Sequence, residues 1–500
     1  LIDKIVALGK QAIVLVPEIA LSGQMLTMLQ ERLSLRMAVL HSGLAPGKRR
    51  IIWQDIAGGK IDIVVGPRSA IFAPLPALGL IIVDEEHESS YKQEHQPRFH
   101  AVTVARKRAE LTGAHLVLGS ATPAVESYYL AQNGIYAWGK LQQHYYPAPP
   151  PVVDIVDMRR ELRCGNTNIF SRALVSALTD TLAAGAQSVL FLNRRGYYNF
   201  FSCRDCGATI TCPHCAVAMS YHADAYGGAL KCHYCGRVIR PPERCPKCNS
   251  PHIRRFGVGT QRVVDEVQKL FPTARVLRLD SDVTEAQGGY QSVYQQMREG
   301  QADILVGTQM LAKGLDFPQV RLAAVIAADT MLNLPDWRAC ERTFQLISQL
   351  SGRAGRREIQ GRAIIQTYMP EALPIVAAAN ADYQRFYQAE LQERQLHGYP
   401  PFCHLVRLLF TGSDQSILWR VAREGAAWLA KVPTAGELCG PAEAPFSRIK
   451  DRYRIQIVLK TERLSVLKPL LESMWPQVRG VVGTAEDVLL HIDVDPFSMM

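Results

Sequence analysis

The chain has 500 residues, more than one hydrophobic core usually organises, so we expect roughly two to four domains. Its hydrophobic share of 48% and charged share of 20% are typical of a folded globular protein. No apolar run is long enough to span a membrane, and no signal peptide is recognisable. We therefore expect no membrane-spanning helix and no membrane partner, and because the first residue is Leu1 we expect further residues before it.

The net charge is +10 and the isoelectric point is near 9.0, which favours a polyanionic partner without identifying one. Twelve cysteines without an export signal indicate a reducing compartment, and we expect the cytoplasm. Eight of them form four C-x-x-C pairs; as thiolates on two Zn²⁺ they would lower the net charge by four, to +6. We predict that the others are buried small apolar residues: Cys164, Cys340, Cys403 and Cys439.

Short apolar runs alternate with longer amphipathic stretches from Gln11 to about Ala121. This alternation is typical of a parallel β-sheet with crossover helices, in which the strands are buried on both faces. The predicted strands are Ala12–Val16, Met37–Leu40, Ile61–Val65, Gly79–Val83 and His115–Leu118. A proline-rich segment, Pro147–Pro151, then indicates a connector to a second unit.

The same pattern resumes after the connector and predicts a second parallel sheet, so the fold class is α/β. Its predicted strands are Ser188–Leu192, Arg275–Leu279, Asp303–Val306, Leu322–Ala327 and Ala363–Gln366. We expect a first lobe over residues 1–150 and a second over 151–200 and 252–397. A cysteine-rich insertion over 201–251 interrupts the second lobe, and a small α/β C-terminal domain follows over 398–500.

An acidic segment, Asp84–His87, directly follows the apolar run Leu80–Val83. A carboxylate at the carboxyl end of a buried strand lies where nucleotides bind in open α/β sheets. There Asp84 would hold Mg²⁺ and Glu85 would polarise the water that attacks the γ-phosphate. The alternative is a strand that ends in a charged turn.

A second polar segment, Gly119–Pro123, follows the next apolar run at the same edge of the sheet. Its hydroxyl groups, on Ser120 and Thr122, could connect a phosphate site to a nucleic-acid groove. The alternative for this segment is a helix N-cap after a strand.

The second lobe carries a basic segment, Gln349–Arg356, whose glycines permit a close approach and whose guanidinium groups match phosphate oxygens. Arg353 and Arg356 are three residues apart, and we predict that they project from one face of a helix. The alternative is a basic helix end capped by glycine. Upstream, Gly307–Gln309 and Lys313–Asp316 follow a predicted strand and would meet the nucleic-acid backbone.

Taken in this order, these segments resemble the superfamily 2 helicases, and most closely the PriA family of bacterial primosomal helicases. Val16–Gln24 is also similar to the segment after the first strand in that family, and the resemblance extends over essentially the whole chain. It implies two RecA-like lobes and an ATP- and Mg²⁺-dependent DNA helicase that moves 3′ to 5′. It further implies that the enzyme recognises and remodels stalled or branched replication forks at the nucleoid and starts primosome assembly for replication restart.

The resemblance also implies roles for individual residues. Hydrolysis would involve Asp84, Glu85, Gln349, Arg353 and Arg356, and the nucleotide would further contact Gly314 and Asp316. DNA contact or coupling would involve Ser120, Thr122, Thr308 and Lys313, together with an aromatic-rich loop within Glu88–His100. In that loop we predict that Tyr91 and Phe99 stack on bases while Lys92 and Arg98 meet phosphate. The implied partners are branched and single-stranded DNA, single-stranded-DNA-binding protein, PriB, DnaT and the replicative helicase loader.

One motif of such helicases is absent, because no G-x-x-x-x-G-K-S/T phosphate loop occurs in the 500 residues. Gly43–Arg49 has one spacer residue too few and an arginine where the Mg²⁺-binding hydroxyl is required. In the family this loop stands just before a helix like Leu1–Gly9, and a DNA-binding region lies further upstream. We therefore expect that this chain by itself hydrolyses ATP poorly or not at all.

The cysteine pairs are Cys203/Cys206, Cys212/Cys215, Cys232/Cys235 and Cys245/Cys248. Two C-x-x-C turns supply the four thiolates of a tetrahedral Zn²⁺ site with no open position, so we expect two structural zinc ions. The spacing between Cys215 and Cys232 predicts nesting, in which the inner pairs share one ion and the outer pairs the other. Adjacent pairing is one alternative, and a redox dithiol formed by Cys212 and Cys215 is another.

Two basic segments have two interpretations each. Four cations among the cysteine pairs could contact nucleic acid or form a solvated rim: Arg237, Arg240, Arg244 and Lys247. In the C-terminal domain, five cations cluster around the segment Arg454–Lys460, which alternates apolar and polar residues: Arg448, Lys450, Arg452, Arg454 and Lys460. This alternation predicts a strand with one core face and one basic face for phosphate contact, or an edge strand charged against aggregation.

Two functions follow from these patterns. The first is an ATP-driven motor on DNA, which the residues Asp84, Glu85, Arg353 and Arg356 favour. The second is a non-enzymatic, zinc-stabilised scaffold for nucleic acid and proteins, which the absent phosphate loop favours for this chain. We expect the motor for the full-length protein.

Overall fold

A computed structural model gives the fold of the chain. It describes residues 1–17, 29, 31–32, 35–141, 149–192, 200–222, 228–256, 260–279, 289–308, 317–354, 360–432, 436–481 and 487–499. The chain divides into two compact units, of which the first is Leu1–Tyr136 and the second comprises Ala137–Ala312 and Asp316–Met500. None of the described helices is long and apolar enough to cross a membrane.

The first unit is built on a parallel β-sheet whose strands match the five predicted runs. They are β1 (Gln11–Leu15), β2 (Met37–Val39), β3 (Ile63–Gly66), β4 (Leu78–Asp84) and β5 (His115–Gly119), in the order β2-β3-β1-β4-β5. Ile13 and Leu15 belong to one core cluster and Ala12 and Val14 to another, so both faces of β1 are buried. This confirms the predicted parallel sheet, except that β5 lies at the edge and is only half-buried.

The helices of this unit begin and end at residues that suit those positions. Those described are α1 (Ile2–Ala7), α2 (Pro46–Ala57), α3 (Ala101–Thr112) and α4 (Val125–Gln132). Pro46 opens α2, where its missing N–H is not needed and its fixed φ favours the helix. Gly113 ends α3 with a φ of 68°, the left-handed conformation that glycine adopts without strain. The buried face of α3 packs against β4 and so supports the strand that carries the acidic segment.

The second unit contains a six-stranded parallel sheet. Its strands are β6 (Val152–Asp157), β7 (Gln187–Phe191), β13 (Val276–Leu279), β14 (Ile304–Gly307), β15 (Val320–Val325) and β16 (Arg362–Thr367). Their order is β13-β14-β7-β15-β16-β6, and every pairing is parallel. Five strands match the predicted runs, which confirms the two-sheet α/β class. The apolar runs did not predict β6, because each of its short apolar pairs is followed by an aspartate and its position at the edge leaves it half-exposed.

The described helices of this lobe follow the strands in chain order. They are α5 (Met158–Arg163), α6 (Arg172–Ala183), α7 (Thr260–Leu270), α8 (Gly289–Arg298), α9 (Asp329–Leu332), α10 (Ala339–Ser351), α11 (Leu373–Ala379) and α12 (Tyr383–Leu396). Ser171 caps α6 by accepting the N–H of Leu174 at 3.2 Å. Asp382 caps α12 in the same way through the N–H of Arg385, at 3.0 Å.

The cysteine-rich insertion, hereafter the module, connects β7 with α7. Its strands β8 (Phe200–Cys203) and β12 (Ile253–Phe256) pair with each other, while β9 (Ser220–His222), β10 (Ala229–Lys231) and β11 (Val238–Ile239) form a second small antiparallel sheet. Strands this short bury little surface by themselves. The core of the module combines its buried cysteines with residues from outside it, among them Trp337 and Tyr399.

The C-terminal domain is a four-stranded antiparallel sheet with two helices on one face. Its elements are β17 (His404–Gly412), α13 (Gln415–Ala430), β18 (Glu437–Ile449), β19 (Arg452–Thr461), α14 (Leu467–Val481) and β20 (Leu489–Val494). The strand order is β18-β19-β17-β20. Ile455, Ile457 and Leu459 of β19 pack with the two helices.

The predicted basic face is wrong at Gln456 and Lys460, because β19 lies inside the sheet and its second face is covered there, whereas Arg454 is partly exposed. Gln456 is fully buried and donates from Nε2 to the backbone oxygen of His233 in the module, at 2.8 Å. Lys460 is 7% exposed and donates to the backbone oxygen of His397 at 2.7 Å. The edge-strand alternative is wrong for the same reason. The alternation reflects two buried faces, one apolar and one polar.

A buried ion-pair network holds the start of α10. Arg394 is 2% exposed, and its guanidinium lies 2.8 Å from the carboxylate of Glu341 and 2.9 Å from that of Glu390. It also donates to the backbone oxygen of Pro400 at 3.2 Å. Glu341 pairs in addition with Arg338 at 2.9 Å. Because these charges are removed from water, deleting one leaves its partners incompletely compensated.

We therefore predict that Arg394→Ala lowers the free energy of unfolding by about 3–5 kcal/mol, measured by urea denaturation of the whole chain. The matched control is Arg362→Ala. Arg362 pairs with Asp154 at 2.7 Å, but both side chains are about two-fifths exposed, and its loss should cost less than about 1 kcal/mol. Equal losses for the two variants would contradict the network.

Candidate nucleotide-binding edge and metal centres

The acidic segment Asp84–His87 lies at the carboxyl edge of the first sheet. Asp84 is the last residue of β4, is exposed, and pairs with Gly119, the last residue of β5. Glu85 follows with a φ of 48°. This left-handed conformation costs a non-glycine residue about 1–2 kcal/mol, and such conformations are concentrated at functional sites. The turn presents two adjacent carboxylates where nucleotides bind in sheets of this type.

His87 joins the acidic segment to the segment after β5. Its Nδ1 atom lies 2.7 Å from Oγ of Ser120, which also accepts the backbone N–H of Thr122 at 2.9 Å. His87 is 4% exposed, so this contact is shielded from water. The structure therefore brings Ser120 and Thr122 next to the acidic segment.

Glu86 makes a second connection and is also 4% exposed. Its carboxylate accepts the backbone N–H of Ala124 at 2.6 Å and the hydroxyl of Ser127 at 2.8 Å. Ala124 is the N-cap of α4 and its N–H is accepted by Glu86, so the alternative that Ser120 or Thr122 caps this helix is wrong. No role was predicted for Glu86 or His87 from the sequence, because their partners follow the next strand and become neighbours only in the sheet.

The loop after the acidic segment folds onto the lobe. Tyr91 is 1% exposed, and its hydroxyl donates to the backbone oxygen of Asp84 at 2.6 Å. Lys92 is 6% exposed, and its backbone oxygen accepts from Arg68 at 3.2 Å. The predictions that Tyr91 stacks on bases and Lys92 meets phosphate do not hold in this structure, because both side chains are buried. Burial and the nearby acidic side chains raise the pKa of Tyr91, so its hydroxyl stays protonated and can donate.

The other two predicted residues of this loop are nearer the surface. Arg98 and Phe99 are partly buried, and the Phe99 ring meets the Phe72 ring edge-on with centroids 5.0 Å apart. Phe72 is 49% exposed. DNA contact by Arg98 and Phe99 stays a prediction.

The end of α10 differs from the prediction. Gln349 lies in the last turn, but the helix ends at Ser351 with Gly352 as its C-cap. Arg353 therefore lies in the turn after the helix, where its N–H donates to the backbone oxygen of Leu350 at 3.0 Å. The prediction that it projects from a helical face is wrong, because the glycine ends the helix first.

Several predicted site residues lie outside the described residues: Gln309, Lys313, Gly314, Asp316, Arg356 and most of the segment Val16–Gln24. Thr308 is described and directly follows β14, at the carboxyl edge of the second sheet. Its N–H donates to the backbone oxygen of Leu279 at 3.2 Å.

All four C-x-x-C pairs fold into the same turn. In each, the residue four positions after the first cysteine donates its N–H back to that cysteine's backbone oxygen, at 2.8–2.9 Å. These residues have φ values between 53° and 78°; they are Gly207, Ala216, Gly236 and Asn249. The left-handed residue reverses the backbone, so both sulfur atoms of a pair face the same side.

The sulfur atoms come together in two groups of four. The first group is Cys203, Cys206, Cys245 and Cys248, and the second is Cys212, Cys215, Cys232 and Cys235. This is the nested arrangement and not the adjacent one. Sulfur atoms from different pairs lie 3.6 Å apart in the first group and 3.7 Å apart in the second. A tetrahedral Zn²⁺ with bonds of about 2.3 Å requires almost these separations, whereas a disulfide requires about 2.0 Å.

The second sulfur group is tied to its surroundings through backbone groups. The Tyr399 hydroxyl donates to the backbone oxygen of Cys215 at 2.8 Å, and the N–H of Trp337 donates to the Tyr234 hydroxyl at 3.2 Å. His233 is 2% exposed, and burial lowers its pKa to about 4, so the ring is neutral at neutral pH. These contacts fix the module against the rest of the second unit.

The four cysteines outside the two sulfur groups differ in their exposure. Cys439 is buried and Cys340 and Cys403 are partly buried, but Cys164 is exposed at the C-cap of α5, so the prediction of burial is wrong for it.

All four cations of the module for which two interpretations were open are exposed: Arg237, Arg240, Arg244 and Lys247. Their exposure agrees with a nucleic-acid contact and with a solvated rim alike.

Two parallel α/β lobes with a cysteine-rich insertion in the second define the core of a RecA-like helicase. Family models match the chain in the same order. They are the DEAD/DEAH box helicase (residues 1–129), the PriA DNA helicase Cys-rich region domain (212–240), the helicase conserved C-terminal domain (257–358) and the primosomal protein N C-terminal domain (395–497).

Curated relatives identify the family more closely. The replication restart protein PriA of Bacillus subtilis is 47% identical over 100% of this chain and 62% of its own length. The PriA of Synechocystis is 43% identical over 98% of this chain and 59% of its own length. The PriA of Treponema pallidum is 41% identical over 100% of this chain and 74% of its own length. The chain belongs to the PriA family of replication restart proteins. The chain spans about three-fifths of the length of each of the first two relatives.

The nested sulfur groups predict the effect of removing one ligand. Cys212→Ala should reduce tightly bound zinc from two ions per chain to one, because three thiolates hold Zn²⁺ much less tightly than four. Zinc is counted by mass spectrometry of the metal after dialysis against metal-free buffer. Cys164→Ala removes an exposed thiol outside both groups and should keep two ions. The same zinc content in the two variants would contradict this assignment.

Proposed function

We propose that the protein to which this chain belongs is an ATP-driven DNA helicase that moves 3′ to 5′. It recognises and remodels stalled or branched replication forks and starts primosome assembly for replication restart. Family membership supports the proposal, since the relatives are named replication restart proteins. The observation that carries it is the pair of carboxylates on Asp84 and Glu85 at the carboxyl edge of a parallel sheet, with a left-handed backbone at Glu85.

At this edge Asp84 would hold the Mg²⁺ of the nucleotide, and Glu85 orients the attacking water and accepts its proton. The bound Mg²⁺ supplies the positive charge that neutralises the phosphates. His87 contacts Ser120, and Glu86 contacts the start of α4, so a shift of the acidic segment is passed directly to the next segment. These contacts support a coupling role for Ser120 and Thr122.

The remaining assignments rest on the family. Gln349, Arg353, Arg356, Gly314 and Asp316 bind or sense the nucleotide, and Thr308, Lys313, Arg98 and Phe99 contact DNA. The partners are branched and single-stranded DNA, single-stranded-DNA-binding protein, PriB, DnaT and the replicative helicase loader. The positive net charge of the chain agrees with DNA binding.

We also propose that each sulfur group holds one Zn²⁺. All four donors in each group are cysteines, which leaves no position for water or substrate, so the ions stabilise the module and take no part in hydrolysis. The equal turns of the four pairs support this, because each presents two sulfur atoms to one side.

A second function applies to the 500-residue chain on its own. Because it contains no phosphate loop, the chain hydrolyses ATP slowly and acts as a zinc-stabilised scaffold that binds nucleic acid and partner proteins. The two functions differ in whether hydrolysis accompanies DNA binding.

The test is ATP turnover with and without single-stranded DNA, measured for the 500-residue chain and for the full-length product of its gene. We expect DNA-stimulated turnover in the full-length protein and little in the chain alone. Glu85→Gln should reduce turnover at least about 100-fold, because the water loses its general base. Strand displacement on forked substrates with a 3′ or a 5′ single-stranded arm, in the same proteins, measures the direction of movement.

Glu110→Gln is the matched control, because it removes the same charge from an exposed position on α3 of the same lobe and should leave turnover unchanged. No DNA-stimulated turnover in the full-length protein would contradict the motor and favour the scaffold. Displacement only from the 5′ arm would contradict the proposed direction.

A further inference from the structure

A third group of metal-binding side chains lies beside the second sulfur group. His214 stands between Cys212 and Cys215 in the chain, and Cys439 belongs to β18 of the C-terminal domain. A ring nitrogen of His214 and the sulfur atoms of Cys215 and Cys439 all lie within 4.8 Å of one another. Cys439 belongs to neither four-sulfur group, so those two groups do not account for its position there.

The separations of these donor atoms suit tetrahedral coordination. His214 Nδ1 lies 3.4 Å from the Cys215 sulfur, and the Cys439 sulfur lies 3.5 Å from Oε1 of Glu437. The other ring nitrogen, Nε2, lies 3.8 Å from the same carboxylate oxygen, but an ion binds only one of the two ring nitrogens, so this distance is not a donor separation. Metal–ligand bonds of about 2.0–2.3 Å place the donors of a tetrahedral ion roughly 3.3–3.8 Å apart. Glu437 can therefore supply a fourth donor.

Charge favours a cation at this point. Four thiolates around one Zn²⁺ leave the second sulfur group with a net negative charge, and the carboxylate of Glu437 adds to it. Lys460 offsets part of this charge, with its Nζ atom 3.4 Å from Oε1 of Glu437. Because Cys215 and Cys439 are 1% and 2% exposed, the remaining negative charge is poorly hydrated and attracts a further cation.

We propose that His214, Cys215, Cys439 and Glu437 form a third metal site, for a thiophilic divalent cation such as Zn²⁺, in which the Cys215 thiolate bridges to the ion of the second sulfur group. Binding deprotonates the Cys439 thiol and releases its proton to solvent. The His214 side chain is 53% exposed and gives the ion a route from water, so it exchanges faster than the ions of the four-sulfur groups.

The third ion links two domains, because His214 and Cys215 belong to the module whereas Glu437 and Cys439 belong to β18. The site goes beyond the proposed motor and does not depend on ATP hydrolysis. The alternative to a third metal ion is that the thiol of Cys439 donates a hydrogen bond to the Cys215 sulfur. The two arrangements differ in the number of metal ions bound.

The first test counts bound zinc in the full chain at a series of buffered free Zn²⁺ concentrations. We expect the count to rise from two to three ions per chain, and to stay at two in His214→Ala and Cys439→Ala. Cys403→Ala, which removes a partly buried thiol outside all three groups, is the control and should reach three. A count that stays at two in the unmodified chain, or reaches three in both site variants, overturns the proposal.

The second test uses Co²⁺, added to the chain that already holds two zinc ions. We expect a thiolate-to-cobalt charge-transfer band with no loss of zinc, and no band in His214→Ala. That variant alters a half-exposed side chain and should fold normally even if Cys439→Ala does not. The absence of a band in the unmodified chain, or the same band in His214→Ala, overturns the third site. Fewer than two zinc ions before cobalt is added would instead contradict the four-sulfur sites, and with them the shared thiolate.

Discussion

In the proposed arrangement, the second unit depends on a Zn²⁺ ion at the centre of each four-sulfur group. Thiolates 3.6–3.7 Å apart repel one another unless a metal ion binds them all. The module cannot replace that interaction with apolar burial, since its strands are two to four residues long. Its core consists largely of the cysteines themselves and of side chains that neighbouring elements contribute. Under the same proposal, metal binding supplies much of the folding free energy of the module.

The module in turn covers surfaces that would otherwise face water. On one side it buries the polar face of β19, where Gln456 donates to the backbone of His233. On another it meets Trp337, whose ring stacks on Tyr399 at 5.5 Å and lies under the guanidinium of Arg338 at 4.1 Å. Arg338 is the N-cap of α10, so packed side chains connect the sulfur atoms with the helix that carries Gln349.

The sequence predicted those features whose cause is local. Apolar runs of strand length predicted ten strands of two parallel sheets, because that pattern is complete within short segments. The spacing of the C-x-x-C pairs predicted their nested arrangement. Prediction from the sequence failed where a residue distant in the chain determines which side chains are buried. The charged residues of β19 predicted an exposed face, but the module covers that face. The ring of Tyr91 was predicted to stack on bases, but its hydroxyl donates to the backbone oxygen of Asp84. Glu86 and His87 were missed for the same reason.

Hydrogen exchange of the full chain, followed by mass spectrometry before and after zinc is removed with a chelator, tests the central claim most directly. If the ions hold the module against its neighbours, their removal should increase exchange in the module and in β18 and β19. Exchange in β1 and β4 of the first unit should stay the same, since those strands belong to separate cores. Unchanged exchange in β18 and β19 after the zinc has gone would contradict the claim that the metal-bound module organises the second unit.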